Sequence, residues 1–207
     1  MPPSEGERLA RFTTGQRWVH RTLAALMGVC LVTASALYVP SISQMVGHRI
    51  VVAHIHVICG VALLGPLVAG WFLSPSFRAD VRRLERFVPE DWQWLRASDR
   101  RSGRIPIGKF NPGQKLNAAF TLGAILVMVG TGLVMKYPQW WPLGWRVGAT
   151  LVHDWLAFAI LVMFAGHAWF AWRDAEARRG MRTGSVSRGW ARREHPEWAD
   201  EVEAEVP

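Results

Sequence analysis

The chain alternates four long apolar stretches with polar stretches that are rich in arginine. Each apolar stretch reaches about 20 residues or more, the length at which an α-helix crosses the hydrocarbon core of a bilayer. The pattern therefore predicts an all-α integral membrane protein of one domain, residues 1–207. Its four-helix bundle is predicted to span approximately residues 18–39, 50–73, 116–135 and 148–172.

Two polar stretches are long enough to carry structure of their own. Within residues 77–95, apolar side chains recur at helical spacing with arginines between them, which predicts a basic amphipathic helix on the membrane surface. Residues 173–207 are polar and charged and are predicted to form a solvated tail. His195, in that tail, is expected to be exposed to water.

The distribution of charge gives the orientation. The chain has 24 Lys and Arg against 16 Asp and Glu, and 21 of the 24 lie in the N-terminal flank, the central polar segment and the tail. The positive-inside rule places these three regions in the cytoplasm, which makes the topology N-in and C-in. Because the charge is divided among loops between apolar runs, it indicates a membrane surface rather than a nucleic acid partner.

Histidines occur in three of the four predicted spans. His153 and His167 share the fourth span, and 14 residues separate them, so they lie on one helix face, roughly 21 Å apart along the axis. With the topology above, His20 and His167 lie near the cytoplasmic side. His153 lies near the outer side with either His54 or His56.

Histidines paired across two levels suggest two stacked haems b, because a low-spin haem b takes two axial imidazoles. A bare metal ion would usually require further ligands, and purely structural histidines are the remaining alternative. His54 and His56 point about 160° apart, so only one of them can face a given haem. Cys59 and Gly60 leave more room one turn after His56, which favours His56 as the partner of His153.

The segment that enters the third span, GKFNPGQK at 108–115, contains turn chemistry and two amides. Asn111 and Gln114 can donate hydrogen bonds to a quinone carbonyl, and Gly113 allows close approach of the backbone. The alternative is a helix cap in which the same amides only satisfy free backbone groups.

The histidines, the 108–115 segment and the tail resemble the di-haem cytochrome b (gamma) subunit of membrane-bound respiratory formate dehydrogenases. The resemblance extends from Arg11-Phe12 to Trp198. Its most specific pieces are Gly108-Lys109-Phe110-Asn111 with Gly113-Gln114-Lys115, and Val186-Ser187-Arg188, Trp190-Ala191, His195-Pro196 and Trp198 in the tail.

The resemblance implies a set of roles for the matching residues. Two haems b would be held by His20, His56, His153 and His167, with His20 and His167 on the inner haem and His56 and His153 on the outer one. A quinone, menaquinone or ubiquinone, would be reduced near the inner haem beside Asn111, Gly113, Gln114 and His167.

The resemblance also implies partners in the bacterial cytoplasmic membrane. Electrons would come from an iron–sulfur subunit on the outer side, itself supplied by a molybdenum- or tungsten-pterin subunit that oxidises formate. The chain would be the electron-transfer and quinone-reducing subunit of a formate:quinone oxidoreductase.

Two positions depart from the pattern of the family. Pro112 interrupts the Asn-x-Gly-Gln segment, and Asp154 stands where a small apolar residue is expected.

Two alternatives remain at the level of sequence. The chain could serve a hydrogenase or a thiosulfate or polysulfide reductase as its cytochrome b subunit. It could also be a haem-free membrane anchor or transporter, which would be colourless where haem b gives a sharp α band on reduction.

Overall fold

The computed structural model describes residues 8–100 and 102–204, which are mostly helical. Residues 205–207 of the predicted tail lie outside the described residues. Among the described residues, four stretches are long and apolar enough to span a membrane, as the hydropathy pattern predicts. They are Thr14–Tyr38, Arg49–Leu73, Pro112–Lys136 and Leu143–Arg173.

The elements follow one another with short connections, except between α6 and α7. In chain order they are β1 (Arg8–Ala10), α1 (Thr14–Tyr38), α2 (Pro40–Val46), α3 (Arg49–Ala62), α4 (Leu64–Leu73), α5 (Pro75–Glu85), α6 (Pro89–Arg96), α7 (Pro112–Lys136), α8 (Leu143–Arg173), α9 (Ala175–Thr183), β2 (Ser185–Ser187), α10 (Arg188–Glu194) and α11 (Pro196–Ala204). Pro138–Trp140 form a single 3-10 turn between α7 and α8.

The helices extend past the ends of the apolar runs. The third begins at Pro112 and the fourth at Leu143, because polar and aromatic flanking residues continue a helix without adding to its hydropathy. The second span is divided at Leu63, whose backbone N–H bonds to the carbonyls of Cys59 and Gly60. Pro66, just beyond, has no N–H to continue the regular ladder, which accounts for the break.

The amphipathic segment over 77–95, where the apolar spacing predicts helix, consists of two helices, α5 and α6, with a break at 86–88. Arg86 and Val88 are extended, with φ of −89° and −120°. Pro89 begins α6. A proline is disfavoured in a helix interior because it has no N–H to donate, and it favours extended geometry in the residue before it. The apolar spacing across Val88 was therefore not a helical repeat.

The chain divides into two compact units. We call residues 18–72 and 121–166 the helix unit. We call residues 8–17, 73–100, 102–120 and 167–204 the terminal unit. The core of the helix unit is formed by Cys30, Leu63 and Ile125, with Cys59 packed against them. The two cysteines thus pack among apolar residues, while many large apolar side chains of the spans face outward, where lipid would cover them.

The core of the terminal unit is built largely from the C-terminal tail. Strands β1 and β2 pair antiparallel, with Leu9 opposite Val186. These two residues pack with Trp190, Ala191, Trp198 and Ala199. The polar tail thus has a folded core of its own, which its composition does not reveal, and the small sheet departs from a purely helical fold. Charged residues dominate the tail's composition, yet its apolar residues are spaced so that short helices can bury them together.

Gly184 links the N-terminal and C-terminal segments of the terminal unit through backbone hydrogen bonds. It ends α9 with φ of 96°, and its carbonyl accepts hydrogen bonds from the N–H groups of Arg11 and Phe12 at 2.8 and 3.0 Å. A Cβ at this position would lie 2.7 Å from the carbonyl oxygen of Phe12. Only glycine suits both the left-handed conformation and the close backbone contact.

Candidate functional site

The helix unit brings His56 of α3 beside His153 of α8. Their ring centres lie 6.3 Å apart, and the ring planes make an angle of 65°. Both residues are half-buried. Two of the four histidines singled out in the sequence therefore meet, although they come from different helices far apart along the chain.

The spacing of the two rings suits one metal ion between them. A metal–imidazole bond is about 2 Å long and the ring centre lies about 1 Å behind the nitrogen, so opposed axial rings have centres about 6 Å apart. The observed 6.3 Å meets that requirement. Two neutral imidazoles are also the donor set that a low-spin haem b takes.

Each ring of this pair has a threonine partner on another helix. The Oγ1 atom of Thr33, in α1, lies 2.9 Å from Nδ1 of His56. The Oγ1 atom of Thr131, in α7, lies 2.9 Å from Nδ1 of His153. Because the threonines engage Nδ1, Nε2 is the nitrogen through which each ring can bind a metal.

Glycines border the pair. A Cβ at Gly132 would lie 3.5 Å from Cε1 of His153, an ordinary van der Waals contact, so the backbone of α7 lies near that ring. A Cβ at Gly60, one turn after His56, would meet nothing within 4 Å. The backbone one turn after His56 is therefore unobstructed, while α7 lies in contact with the ring of His153.

His54 does not join the pair. It is exposed, and its Nδ1 lies 2.9 Å from the carbonyl oxygen of Ile50 in its own helix. The structure thus places His56, and not His54, beside His153, and the role of His56 as a haem ligand stays a prediction.

His20 and His167 lie on α1 and α8, and both are exposed. His20 belongs to the helix unit and His167 to the terminal unit, and their pairing stays a prediction. Helix α8 runs without interruption from Leu143 to Arg173, so His153 and His167 lie on one continuous helix. Within residues 8–100 and 102–204, no group of three or more His, Cys, Asp or Glu could hold a metal ion.

In the terminal unit, Asn111 and Gln114 form a reciprocal cap at the start of α7. The N–H of Gln114 donates to Oδ1 of Asn111 at 3.0 Å, and the N–H of Asn111 donates to Oε1 of Gln114 at 2.9 Å. This is the geometry of a capping box, with the amide oxygens in use. The helix-cap alternative is therefore observed, and the cap uses the amide oxygens rather than the NH2 groups.

The two residues between these amides suit the cap. Pro112 occupies the first helical position, where its missing N–H costs nothing, and it is fully buried. Gly113 is exposed, and a Cβ there would lie 3.3 Å from Oδ1 of Asn111. Pro112 is thus accommodated by the turn that carries Asn111 and Gln114.

The segment before this turn is anchored by a buried ion pair. The Nζ atom of Lys109 donates to both carboxylate oxygens of Asp80 at 2.7 and 2.9 Å, and Gln16 donates to the same carboxylate at 2.5 Å. Burial raises the pKa of the Asp80 carboxyl and lowers the pKa of the Lys109 amine, and each partner's charge opposes the shift of the other. Helices α1 and α5 are thereby tied to the segment that leads into α7.

Arg11 and His195 hold the same segment by its backbone. Nη2 of Arg11 donates to the carbonyl of Lys109 at 2.6 Å, and Nδ1 of His195 donates to the carbonyl of Gly108 at 2.8 Å. His195 is 1% exposed and accepts from Arg11 through Nε2 at 3.0 Å, so the expectation that it is solvated is wrong.

The guanidinium of Arg11 also lies against two tryptophan rings, with Trp190 at 4.8 Å and Trp198 at 5.0 Å from its central carbon. Burial lowers the pKa of Arg11 to about 9, so the side chain remains a cation at neutral pH. The most specific pieces of the sequence resemblance, the 108–110 segment and the tail, therefore meet in one structural assembly that supports the Asn111–Gln114 turn.

A helical membrane protein with an imidazole pair spaced for one metal is typical of the membrane cytochromes b. The family model for prokaryotic cytochrome b561 matches residues 11–184, and the chain belongs to this family. The match covers all four spanning helices and all the histidines and amides proposed as site residues. Membership implies haem b as the cofactor.

Curated relatives include the cytochrome b556(Fdn) subunits of the nitrate-inducible formate dehydrogenases of Escherichia coli K12, Escherichia coli O157:H7 and Shigella flexneri. Each is 30% identical over 100 residues, which are 47% of this chain and 46% of the relative. The chain thus spans about half the length of the curated relatives it matches. These matches confirm the resemblance found in the sequence. With the four apolar helices they identify a multi-pass protein of the bacterial cytoplasmic membrane.

Proposed function

We propose that the chain is the cytochrome b subunit of a respiratory formate dehydrogenase. It passes electrons from an extracytoplasmic iron–sulfur subunit, through an outer and an inner haem b, to a quinone at the cytoplasmic side. The observation that carries this proposal is the pairing of His56 with His153 at 6.3 Å, within a chain of the cytochrome b561 family.

The outer site is assigned to His56 and His153. Haem b bound there supplies a one-electron carrier whose chemistry belongs to the cofactor. The protein's part is to present an Nε2 atom from each side, to hold both rings in place, and to surround the pair with apolar helices. These helices exclude water and set the distance to the outer surface.

The inner site is assigned to His20 and His167. Support comes from their matching depth in the predicted topology and from the resemblance to the di-haem subunits. Fourteen residues of one helix separate His153 from His167, or roughly 21 Å along the axis. That interval gives two levels, one near each membrane surface.

The proposed orientation places both termini in the cytoplasm. It rests on the location of 21 of the 24 basic residues in the N-terminal flank, the central segment and the tail. With this orientation, electrons that enter at the outer haem move inward, and the reduction of quinone consumes cytoplasmic protons. The complex would then contribute to the membrane potential.

The partners of the chain are proposed from the resemblance and from the names of its relatives. They are an iron–sulfur subunit and a molybdenum- or tungsten-pterin subunit that oxidises formate. Copurification from the native membrane identifies them. Recovery of a hydrogenase or of a thiosulfate or polysulfide reductase in their place would assign the chain to the alternative complexes.

The quinone site is proposed at Asn111, Gly113 and Gln114. The capping box uses the amide oxygens, so substitutions can remove the donors and keep the cap. Asn111→Asp and Gln114→Glu retain an acceptor oxygen at each position but lack the NH2 group. We expect each to slow reduction of the haems by a quinol analogue at least about tenfold, or about 1.4 kcal/mol of transition-state stabilisation.

Two controls accompany this experiment in the purified chain. Dithionite should still reduce both haems in each variant, and Asn111→Ser, which keeps a capping oxygen and also a hydroxyl donor, should be faster than Asn111→Asp. Quinol reduction at the wild-type rate in all three variants would leave the turn as a helix cap and remove it from the quinone site.

A further inference from the structure

Thr33 and Thr131 make matching arrangements around the two central histidines. Besides its contact with Nδ1 of His56, the hydroxyl of Thr33 lies 2.7 Å from the carbonyl oxygen of Val29, one turn earlier in α1. Besides its contact with Nδ1 of His153, the hydroxyl of Thr131 lies 2.8 Å from the carbonyl oxygen of Val127 in α7. The same three-part arrangement thus occurs twice, on two different helices.

The carbonyl contacts decide the direction of the histidine bonds. A carbonyl oxygen can only accept, so each threonine gives its single hydroxyl hydrogen to its own helix. The hydroxyl oxygen can then only accept from the imidazole, which places a proton on Nδ1. Both rings are thereby held as the tautomer whose Nε2 carries a lone pair, the form that binds a metal.

We propose that Thr33 and Thr131 are positioning residues for the outer haem. They fix the tautomer and the ring orientation of His56 and His153, so that both Nε2 atoms face one iron. This inference rests on the proposed function, since it takes these two histidines as the axial ligands. Histidine ligands in metal sites commonly donate their second N–H in this way, and the bond raises the basicity of the ligand.

The proposal has an electronic consequence. A more basic axial ligand stabilises the ferric state relative to the ferrous state, so two such bonds hold the reduction potential of the outer haem below the value it would have without them. A low potential at the outer haem favours onward transfer of the electron to the inner one. Thr33 and Thr131 would therefore help to set the direction of electron flow as well as the geometry of the site.

The experiment compares Thr33→Val and Thr131→Val with the full-length wild-type chain. Valine keeps the side-chain shape and removes the hydroxyl. At a fixed solution potential, we expect the ratio of ferrous to ferric outer haem to rise at least about threefold in each variant. This corresponds to a rise of about 28 mV in the reduction potential of that haem. We also expect about tenfold faster loss of the outer haem to an apo-haem-protein scavenger.

The chain provides a matched control. Thr150, in α8, makes the same bond to a carbonyl one turn earlier, at 3.0 Å from Arg146, and is exposed. Thr150→Val should leave the outer potential and haem retention unchanged. Thr33→Ser and Thr131→Ser restore a hydroxyl and should return both quantities towards the wild-type values. If a valine variant does not accumulate in the membrane, the alanine variant at the same position carries the test.

The outcomes separate this inference from the proposed function. Wild-type potential and haem retention in both valine variants, with the outer haem present, would overturn the positioning role and leave the haem assignment intact. A wild-type chain without an outer haem would instead overturn the proposed function. A shift with valine that serine does not reverse would assign the effect to packing and contradict the inference.

Discussion

His153→Ala is expected to lower the haem content of the purified chain from two haems b to one. The ring centres of His153 and His56 lie 6.3 Å apart, and removal of one imidazole would leave the proposed outer haem with a single axial ligand. The inner haem should remain because it is assigned to other histidines. The measurement is the haem-to-protein ratio from the pyridine haemochrome spectrum, with circular dichroism to verify that the helices persist.

Two further histidine variants serve as comparisons. His56→Ala should lose the same haem as His153→Ala, since both rings belong to one site. His54→Ala should keep both haems, because His54 is exposed and bonds within its own helix. Loss of haem in the His54 variant but not in the His56 variant would exchange their roles.

Lys115→Met is expected to destabilise the chain by about 3–5 kcal/mol, since it leaves a buried carboxylate without its cation. The Nζ atom of Lys115 donates to Asp91 at 2.6 Å and to the carbonyl of Arg86 at 3.0 Å, and the Asp91 side chain is 2% exposed. The pair fastens α6 to the first turn of α7. The free energy of unfolding in mixed micelles, from titration with sodium dodecyl sulfate, gives the value.

The same measurement includes a rescue and a control. Adding Asp91→Asn removes the buried charge while its side-chain oxygen can still accept from the N–H of Val88, so the double variant should recover most of the loss. Lys136→Met replaces an exposed lysine at the other end of α7 and should change stability by no more than about 0.5 kcal/mol. A double variant as unstable as Lys115→Met alone would contradict the explanation.

The four spans were predictable because a bilayer demands long apolar runs, and little else in a sequence produces them. His56 was chosen over His54 from the small residues one turn onward, and the structure places that residue opposite His153. The sequence does not indicate the threonines that contact His56 and His153. Thr33 and Thr131 lie on other helices and are single polar residues in apolar runs, so only the packing of the helices reveals their contacts.

The polar regions were harder to predict for a different reason. In residues 77–95 the apolar spacing continues as far as Val88, so it does not reveal that the first helix ends earlier and that Pro89 starts a separate one. In the tail, charged residues outnumber the few apolar ones, yet Trp190 and Trp198 suffice to bury His195 against Arg11. Short helices around a small aromatic core leave no periodicity long enough to recognise.

The central claim, that this chain holds two haems b between paired histidines, is tested most directly by the haem content of the full-length wild-type chain. The pyridine haemochrome of the purified protein, together with its dithionite-reduced minus oxidised spectrum, gives both the number and the type of haem. Two haems b per chain, with the sharp α band of a low-spin species, is the result expected from paired axial imidazoles. A folded chain that binds no haem, or only one, would contradict the claim.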